Sequence, residues 1–231
     1  MKAAVYAGTR NLYSDMVTAA KSLAKNSSVD IIYFLIDDDK FPYYIPPSFV
    51  KTINVSGQQY FPLNGPNVYK RWTYMTLMRC VLTKYFPELD RILWLDVDTI
   101  VHNNIDDIWD LDMDDYYFAG AIEPEKCKSD KPYINAGVML INLKKLREDH
   151  MDDILIDALN TKKYNFADQD CINSICYDKI LVIPSKYNAN NWTEPCAVPN
   201  IWHFANEKKW RENIMLYQYR DRNWSDMRDT L

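Results

Sequence analysis

The chain opens with short apolar runs that alternate with amphipathic stretches. Ala3-Ala4-Val5-Tyr6-Ala7 reads as a buried strand, closed by the turn Gly8-Thr9-Arg10-Asn11. Ser14 is expected to cap a helix reaching about Lys25, with Met16, Ala19, Ala20 and Leu23 on its inner face at helical spacing. Asp30 to Ile36 is a second apolar run, stopped by Asp37-Asp38-Asp39, and Phe49 to Val55 reads as a third strand after Pro46-Pro47. Strand, helix, strand with short turns is how a parallel α/β sheet begins.

Gln58 to Asn67 is rich in Pro, Gly and aromatics and reads as a loop. Tyr69 to Phe86 is expected to be one helix, closed by Pro87. Arg91-Ile92-Leu93-Trp94-Leu95 is the strongest buried-strand signal, and Asp96 stands at its end. Beyond it the pattern is mixed. Tyr116 to Ile122, Gly137 to Asn142 and Ile180 to Ile183 read as strands. Lys144 to Asn160 reads as helix with a break near Asp149-His150, and a helix from Asp168 runs to about Tyr177. No repeat or linker interrupts the chain, so one domain is expected over residues 1–231.

Composition narrows the class. With 231 residues, 48% hydrophobic and 14% aromatic, the chain can bury a substantial core. A net charge of −5 speaks against nucleic acid, whose binding needs a basic face to replace phosphate counterions. Five scattered cysteines (80, 127, 171, 176 and 196) form neither a disulfide framework nor a CxxC zinc pattern, which favours a reducing compartment. The apolar start is shorter than a signal-peptide core, and no run approaches the roughly 20 apolar residues of a membrane span.

Aspartates two apart occur at 37/39, 96/98, 110/112, 112/114 and 168/170, so the spacing alone says little. Only Asp96-Val97-Asp98 directly follows a five-residue run dominated by bulky apolar side chains, at the strand end where parallel α/β sheets bind ligands. Two carboxylates there suit a divalent cation under a diphosphate; a solvated turn is the plain alternative. A phosphatase of the haloacid-dehalogenase type is another, but its motif places Thr or Val two residues after the second Asp, and Thr99 follows by one. Of three histidines, His102 and His150 read as ordinary surface residues, whereas His203 lies between apolar Ile201-Trp202 and basic Lys208-Lys209.

From Ala3 to Trp210 the chain resembles family 8 of the retaining glycosyltransferases, the group of glycogenin and the bacterial lipopolysaccharide galactosyl- and glucosyltransferases. Tyr6-Ala7-Gly8-Thr9-Arg10-Asn11 is similar to the family's first strand and uridine turn, which implies contacts to uracil and ribose from Ala7, Thr9 and Asn11. Leu12 stands where the family often has its stacking aromatic. Arg79, seventeen residues before Asp96, is implied to meet the donor phosphates and sugar. Asp96 is implied on ribose and metal, Asp98 on the metal, and Asn135 and Ala136 of Asn135-Ala136-Gly137-Val138 near sugar hydroxyls. Phe166-Ala167-Asp168-Gln169-Asp170 looks like the DQD element, with Asp168 holding the donor sugar and Gln169 beside its anomeric carbon. His203 to Trp210 resembles HxxGxxKPW, with His203 as third ligand and Lys209 on the diphosphate. Asn206 replaces its glycine, and no proline precedes Trp210.

The resemblance implies an α/β fold of the GT-A type, a Rossmann-like, mostly parallel mixed sheet flanked by helices. A nucleotide part is expected over about 1–101, a sugar and acceptor part over about 102–210, and a tail over 211–231. It implies a hexose moved from a UDP-sugar, UDP-glucose or UDP-galactose, to a hydroxyl acceptor such as a cell-surface saccharide, with Mn²⁺ as cofactor and Mg²⁺ as the alternative. A non-catalytic nucleotide-sugar-binding module on the same scaffold is the other reading. The expected location is the cytoplasm. Tyr217, Tyr219, Trp224 and the arginines of the tail leave peripheral contact with the inner membrane face open.

Overall fold

The structure, a computed structural model, describes residues 1–38, 47–69, 73–128 and 131–205. Its centre is a seven-stranded sheet of β1 (Ala3–Thr9), β2 (Ile31–Asp37), β3 (Val50–Asn54), β4 (Arg91–Leu95), β6 (Phe118–Ile122), β7 (Ile134–Asn142) and β8 (Ile180–Ile183). The order is β3-β2-β1-β4-β7-β6-β8. β7 pairs antiparallel with both β4 and β6, while every other neighbouring pair is parallel. β7 is therefore the one reversed strand, and the mostly parallel mixed sheet expected from the sequence is present.

Alternation along each strand sends side chains to two separate cores. Val5, Leu35, Ile92, Trp94, Met139 and Ile141 face one layer. Ala4, Tyr6, Phe34, Leu93, Leu95 and Leu140 face the other. α1 (Tyr13–Asn26) covers the second face with Met16, Ala19, Ala20 and Leu23, all fully buried. The first face is covered by α2 (Tyr74–Leu77), α3 (Leu82–Tyr85), α4 (Leu143–Glu148), α5 (Met151–Thr161) and α6 (Ala167–Ile175). Central strands such as β4 are buried on both faces, which is why they read as unbroken apolar runs. Each large side chain so buried contributes about 1.5–3 kcal/mol.

Several boundaries differ from the sequence reading. A 3₁₀ turn, Arg10–Leu12, runs straight into α1, so Ser14 lies in the first turn rather than capping it. The single helix expected over Tyr69 to Phe86 is three pieces: α2, a 3₁₀ turn Met78–Cys80, and α3. The turn tightens where the Arg79 guanidinium is drawn inward to the strand ends, and residues 70–72 lie outside the description. The break near Asp149-His150 is present, with His150 at φ 52° between α4 and α5. Two strands of three residues escaped the pattern, β5 (Thr99–Val101) and β9 (Ile201–His203), which pair antiparallel as a separate ribbon. All five cysteines are unpaired. Among the described residues no helix is long and apolar enough to cross a membrane.

Candidate functional site

β1 and β4 lie side by side and end at the same edge of the sheet, and reversed β7 begins there. Leu95 pairs with Val138, and the Asp96 N–H donates to the Gly137 carbonyl at 2.8 Å. Asp96 and Asn135-Ala136-Gly137 are thus locked together by backbone register. After Asp96 the chain turns at once. The Thr99 N–H and hydroxyl both donate to the Asp96 carbonyl, at 3.2 and 2.7 Å. β5 then pairs with β9, Thr99 opposite His203, and the Phe204 N–H donates to the Asp98 carbonyl at 2.9 Å. That ribbon carries His203 back to the aspartates over a hundred positions of sequence.

Side-chain atoms of Asp96, Asp98 and His203 lie within 4.8 Å of one another, the one such grouping of potential metal ligands among the described residues. His203 Nε2 is 3.4 Å from Asp98 Oδ1 and 3.8 Å from Asp96 Oδ2. Burial favours a neutral His203 ring, but the charges of Asp98 and Asp96 outweigh it and raise its pKa above the ordinary value. Burial would likewise raise the Asp98 carboxyl, yet His203 and Arg79 hold it below the usual range. Both shifts say that the centre draws positive charge, met by protonation of the ring or by a cation. Two carboxylates and an imidazole fit a divalent ion of the Mn²⁺ kind.

Arg79 ties this centre to α6. Its side chain is 4% exposed, and it meets Asp96 Oδ1 at 3.0 Å through one terminal nitrogen and Asp168 Oδ2 at 2.8 Å through Nε. The other terminal nitrogen donates to the Ala136 carbonyl. The guanidinium stacks on Trp94, 4.6 Å from the ring centroid, and the Trp94 indole donates to Asp96 Oδ1 at 2.8 Å. Despite Arg79, burial pushes the Asp168 carboxyl up to about 6. Ala167, just before it, has φ 40°, a conformation costing a non-glycine residue about 1–2 kcal/mol. That strained turn starts α6 with Asp168 and Gln169 lining the cavity.

Gln169 is held at both ends of its amide. Oε1 accepts from the Ala136 N–H at 3.0 Å, and Nε2 donates to Glu123 Oε1 and the Tyr133 hydroxyl, each at 3.2 Å. Asn135 donates to Glu123 Oε1 at 2.5 Å and accepts from Gly137 N–H at 3.0 Å. At the end of β1, the Thr9 hydroxyl donates to Asn11 Oδ1 at 2.5 Å.

Most of these groups border one cavity of about 770 Å³; Tyr133 and Ala167 support it from behind its lining. Of the residues singled out from sequence, Ala7, Thr9, Asn11, Arg79, Asp96, Asp98, Asn135, Ala136, Asp168, Gln169 and His203 line it; Lys209 lies outside the described residues, as do Asn206, Trp210 and the tail. His102 and His150 are exposed and stand apart from it. Sequence reasoning missed Glu123 and Asn188. Glu123 has the same signature as Asp96, an acid immediately after an apolar strand, and could have been found by it. Asn188 carries no such signal.

The family model described as Glycosyl transferase family 8 matches residues 4–214. Glycosyltransferase GlyE of Streptococcus pneumoniae is 29% identical over 202 residues, 81% of this chain and 47% of that one. A lipopolysaccharide 1,2-glucosyltransferase of Escherichia coli is 28% identical over 133 residues, 51% of this chain and 39% of that one. The chain spans less than half the length of these two relatives. Among solved structures, the galactosyltransferase LgtC, in complex with donor and acceptor sugar analogues, superposes with a TM-score of 0.72 at 19% identity, covering 99% of this chain and 96% of that one. That likeness establishes the GT-A fold.

Proposed function

The chain belongs to glycosyltransferase family 8, and we propose on that premise that it transfers a hexose from a UDP-sugar, UDP-glucose or UDP-galactose, to a saccharide hydroxyl with retention of configuration. One observation carries the reading. Every described residue expected to touch nucleotide, cation or donor sugar borders a single cavity at the carboxyl edge of the parallel strands.

Ala7, Thr9 and Asn11 would receive uracil and ribose at the end of β1. Asp96, Asp98 and His203 would hold a Mn²⁺ ion, which when bound supplies positive charge to the departing diphosphate. Lys209 is proposed as a further diphosphate contact. Arg79, already bonded to Asp96, Asp168 and Ala136, acts chiefly by fixing the two carboxylates on either side of it. Asn135 and Ala136 flank the donor sugar. Asp168 and Gln169 stabilise the positive charge that grows at the anomeric carbon, Asp168 by its carboxylate and Gln169 by its amide dipole. The leaving phosphate takes the acceptor proton on the same face.

Hydrolysis of UDP-glucose and UDP-galactose, followed with and without Mn²⁺, tests the proposal. Metal-dependent release of UDP from either donor is expected. Tight Mn²⁺-dependent UDP binding without any donor cleavage would instead mark a nucleotide-sugar-binding module.

A further inference from the structure

Glu123 is 1% exposed and stands just past the end of β6. It is no member of the Asp96, Asp98, His203 group, yet it bonds Gln169 directly and is linked to His203 through Asn135 and Asn188. Lys126 Nζ meets its Oε2 at 2.7 Å, and Oε1 accepts from Asn135 and Gln169.

The orientation of each amide in the chain of bonds follows from these contacts. Asn135 must turn its NH₂ to the carboxylate and its oxygen to Gly137 N–H, since a carboxylate only accepts and a backbone N–H only donates. That same oxygen lies 2.9 Å from the Asn188 amide, so Asn188 must offer its NH₂ there. Asn188 is fully buried, and its Oδ1, which also accepts from the Asn190 amide at 3.1 Å, faces His203 Nδ1 at 2.8 Å. An acceptor at that position requires Nδ1–H. Nε2 also faces acceptors, Asp98 Oδ1 at 3.4 Å and Asp96 Oδ2 at 3.8 Å, but at longer range, so in the neutral ring the 2.8 Å contact keeps the proton on Nδ1 and leaves Nε2 for a cation.

We propose that Glu123 is the positioning residue of this site. Through Asn135 and Asn188 it fixes the Nδ1–H tautomer of His203, and directly it fixes the amide of Gln169. One buried carboxylate thereby sets the polarity of the cation ligand and of the sugar-facing amide together. Partners of this kind orient metal-binding histidines and govern their affinity. The inference rests on the cation site of the functional reading above, but its primary test needs no turnover.

The chain has three histidines, two of them exposed, so long-range ¹H–¹⁵N correlation spectra of ¹⁵N-histidine-labelled protein resolve His203. Recorded with the ring neutral, they should show Nδ1 protonated and Nε2 bare in the wild type. Glu123→Gln keeps the volume but places one acceptor where an ammonium and two amide NH₂ groups converge. It should mix the tautomers and weaken Mn²⁺ binding, read by electron paramagnetic resonance of free Mn²⁺, by about 10–100-fold. Asn188→Leu should do the same. Asn188→Asp should retain Nδ1–H, because only acceptors then face that nitrogen. A wild-type ring protonated at Nε2 overturns the proposal, as does Glu123→Gln with unchanged tautomer and Mn²⁺ affinity. Nδ1–H in a protein that cleaves no UDP-sugar would leave this inference standing and remove the functional reading.

Discussion

The imidazole of His203 packs directly on the backbone of Gly137: a Cβ at that position would fall 2.0 Å from the ring Cε1 and 2.8 Å from Nε2. Glycine is needed here for closeness rather than for its backbone angles, since φ is not positive. Gly137→Ala should therefore push the ring off the two aspartates. Overpacking of this kind typically costs about 1–3 kcal/mol. The variant should show a lowered Tm together with weakened Mn²⁺ binding, measured by calorimetry. An unchanged Mn²⁺ affinity would mean that His203 is not a ligand.

Asp98→Ala and His203→Ala should each abolish Mn²⁺-dependent donor turnover. Asp98 sits in a turn, and neither residue belongs to either of the two cores flanking the large sheet, so circular dichroism should stay close to wild type. EDTA-sensitive wild-type protein is the control, and full activity in either variant would remove that ligand.

Gln169 carries no charge and cannot neutralise phosphate. Gln169→Ala should lower kcat by about 10²–10³ while UDP and Mn²⁺ affinities stay near wild type. Steady-state rates paired with UDP-binding calorimetry decide this. A parallel loss of UDP binding would move Gln169 to the nucleotide end of the cavity.

Burial holds the Asp168 carboxyl up to about 6, against Arg79, which pulls the other way. If its anionic form serves the reaction, kcat/KM should fall as pH drops through about 6, because the folded site takes up a proton there. The unfolded chain releases that proton near the ordinary aspartate value. Stability contributed by the protonated group is therefore present at low pH and declines as pH rises toward 6. Asp168→Asn should flatten the stability profile over that window and lose activity at every pH. An acid limb that survives the substitution belongs to another group.

The parts of this molecule that could be read from sequence are those whose signal is local. β4 was legible to the residue because five consecutive positions are buried or nearly so, and Asp96 was legible because it ends that run. Asp168 and Gln169 were legible through a resemblance; their own surroundings suggest only an acidic helix start. The stretch before Pro87 misled because its helical pattern is real, while the pull of Asp96 and Asp168 on Arg79 is long-range. β5 and β9 are too short to carry a period, and each exists only because the other is there. Asn188 has meaning only once Asn135 and His203 have been brought beside it.

The ribbon of β5 and β9 also orders events in the life of the chain. All seven strands of the large sheet have been synthesised by Ile183, and Asp96 and Asp98 are in place long before His203 emerges. A chain ending between Ile183 and Ile201 would hold every strand of the large sheet and both aspartates but not the imidazole that β9 brings to them. Geometrically, then, the large sheet and the Asp96, Asp98 and His203 group are separable: the first is complete by Ile183, and the second needs the twenty positions that follow.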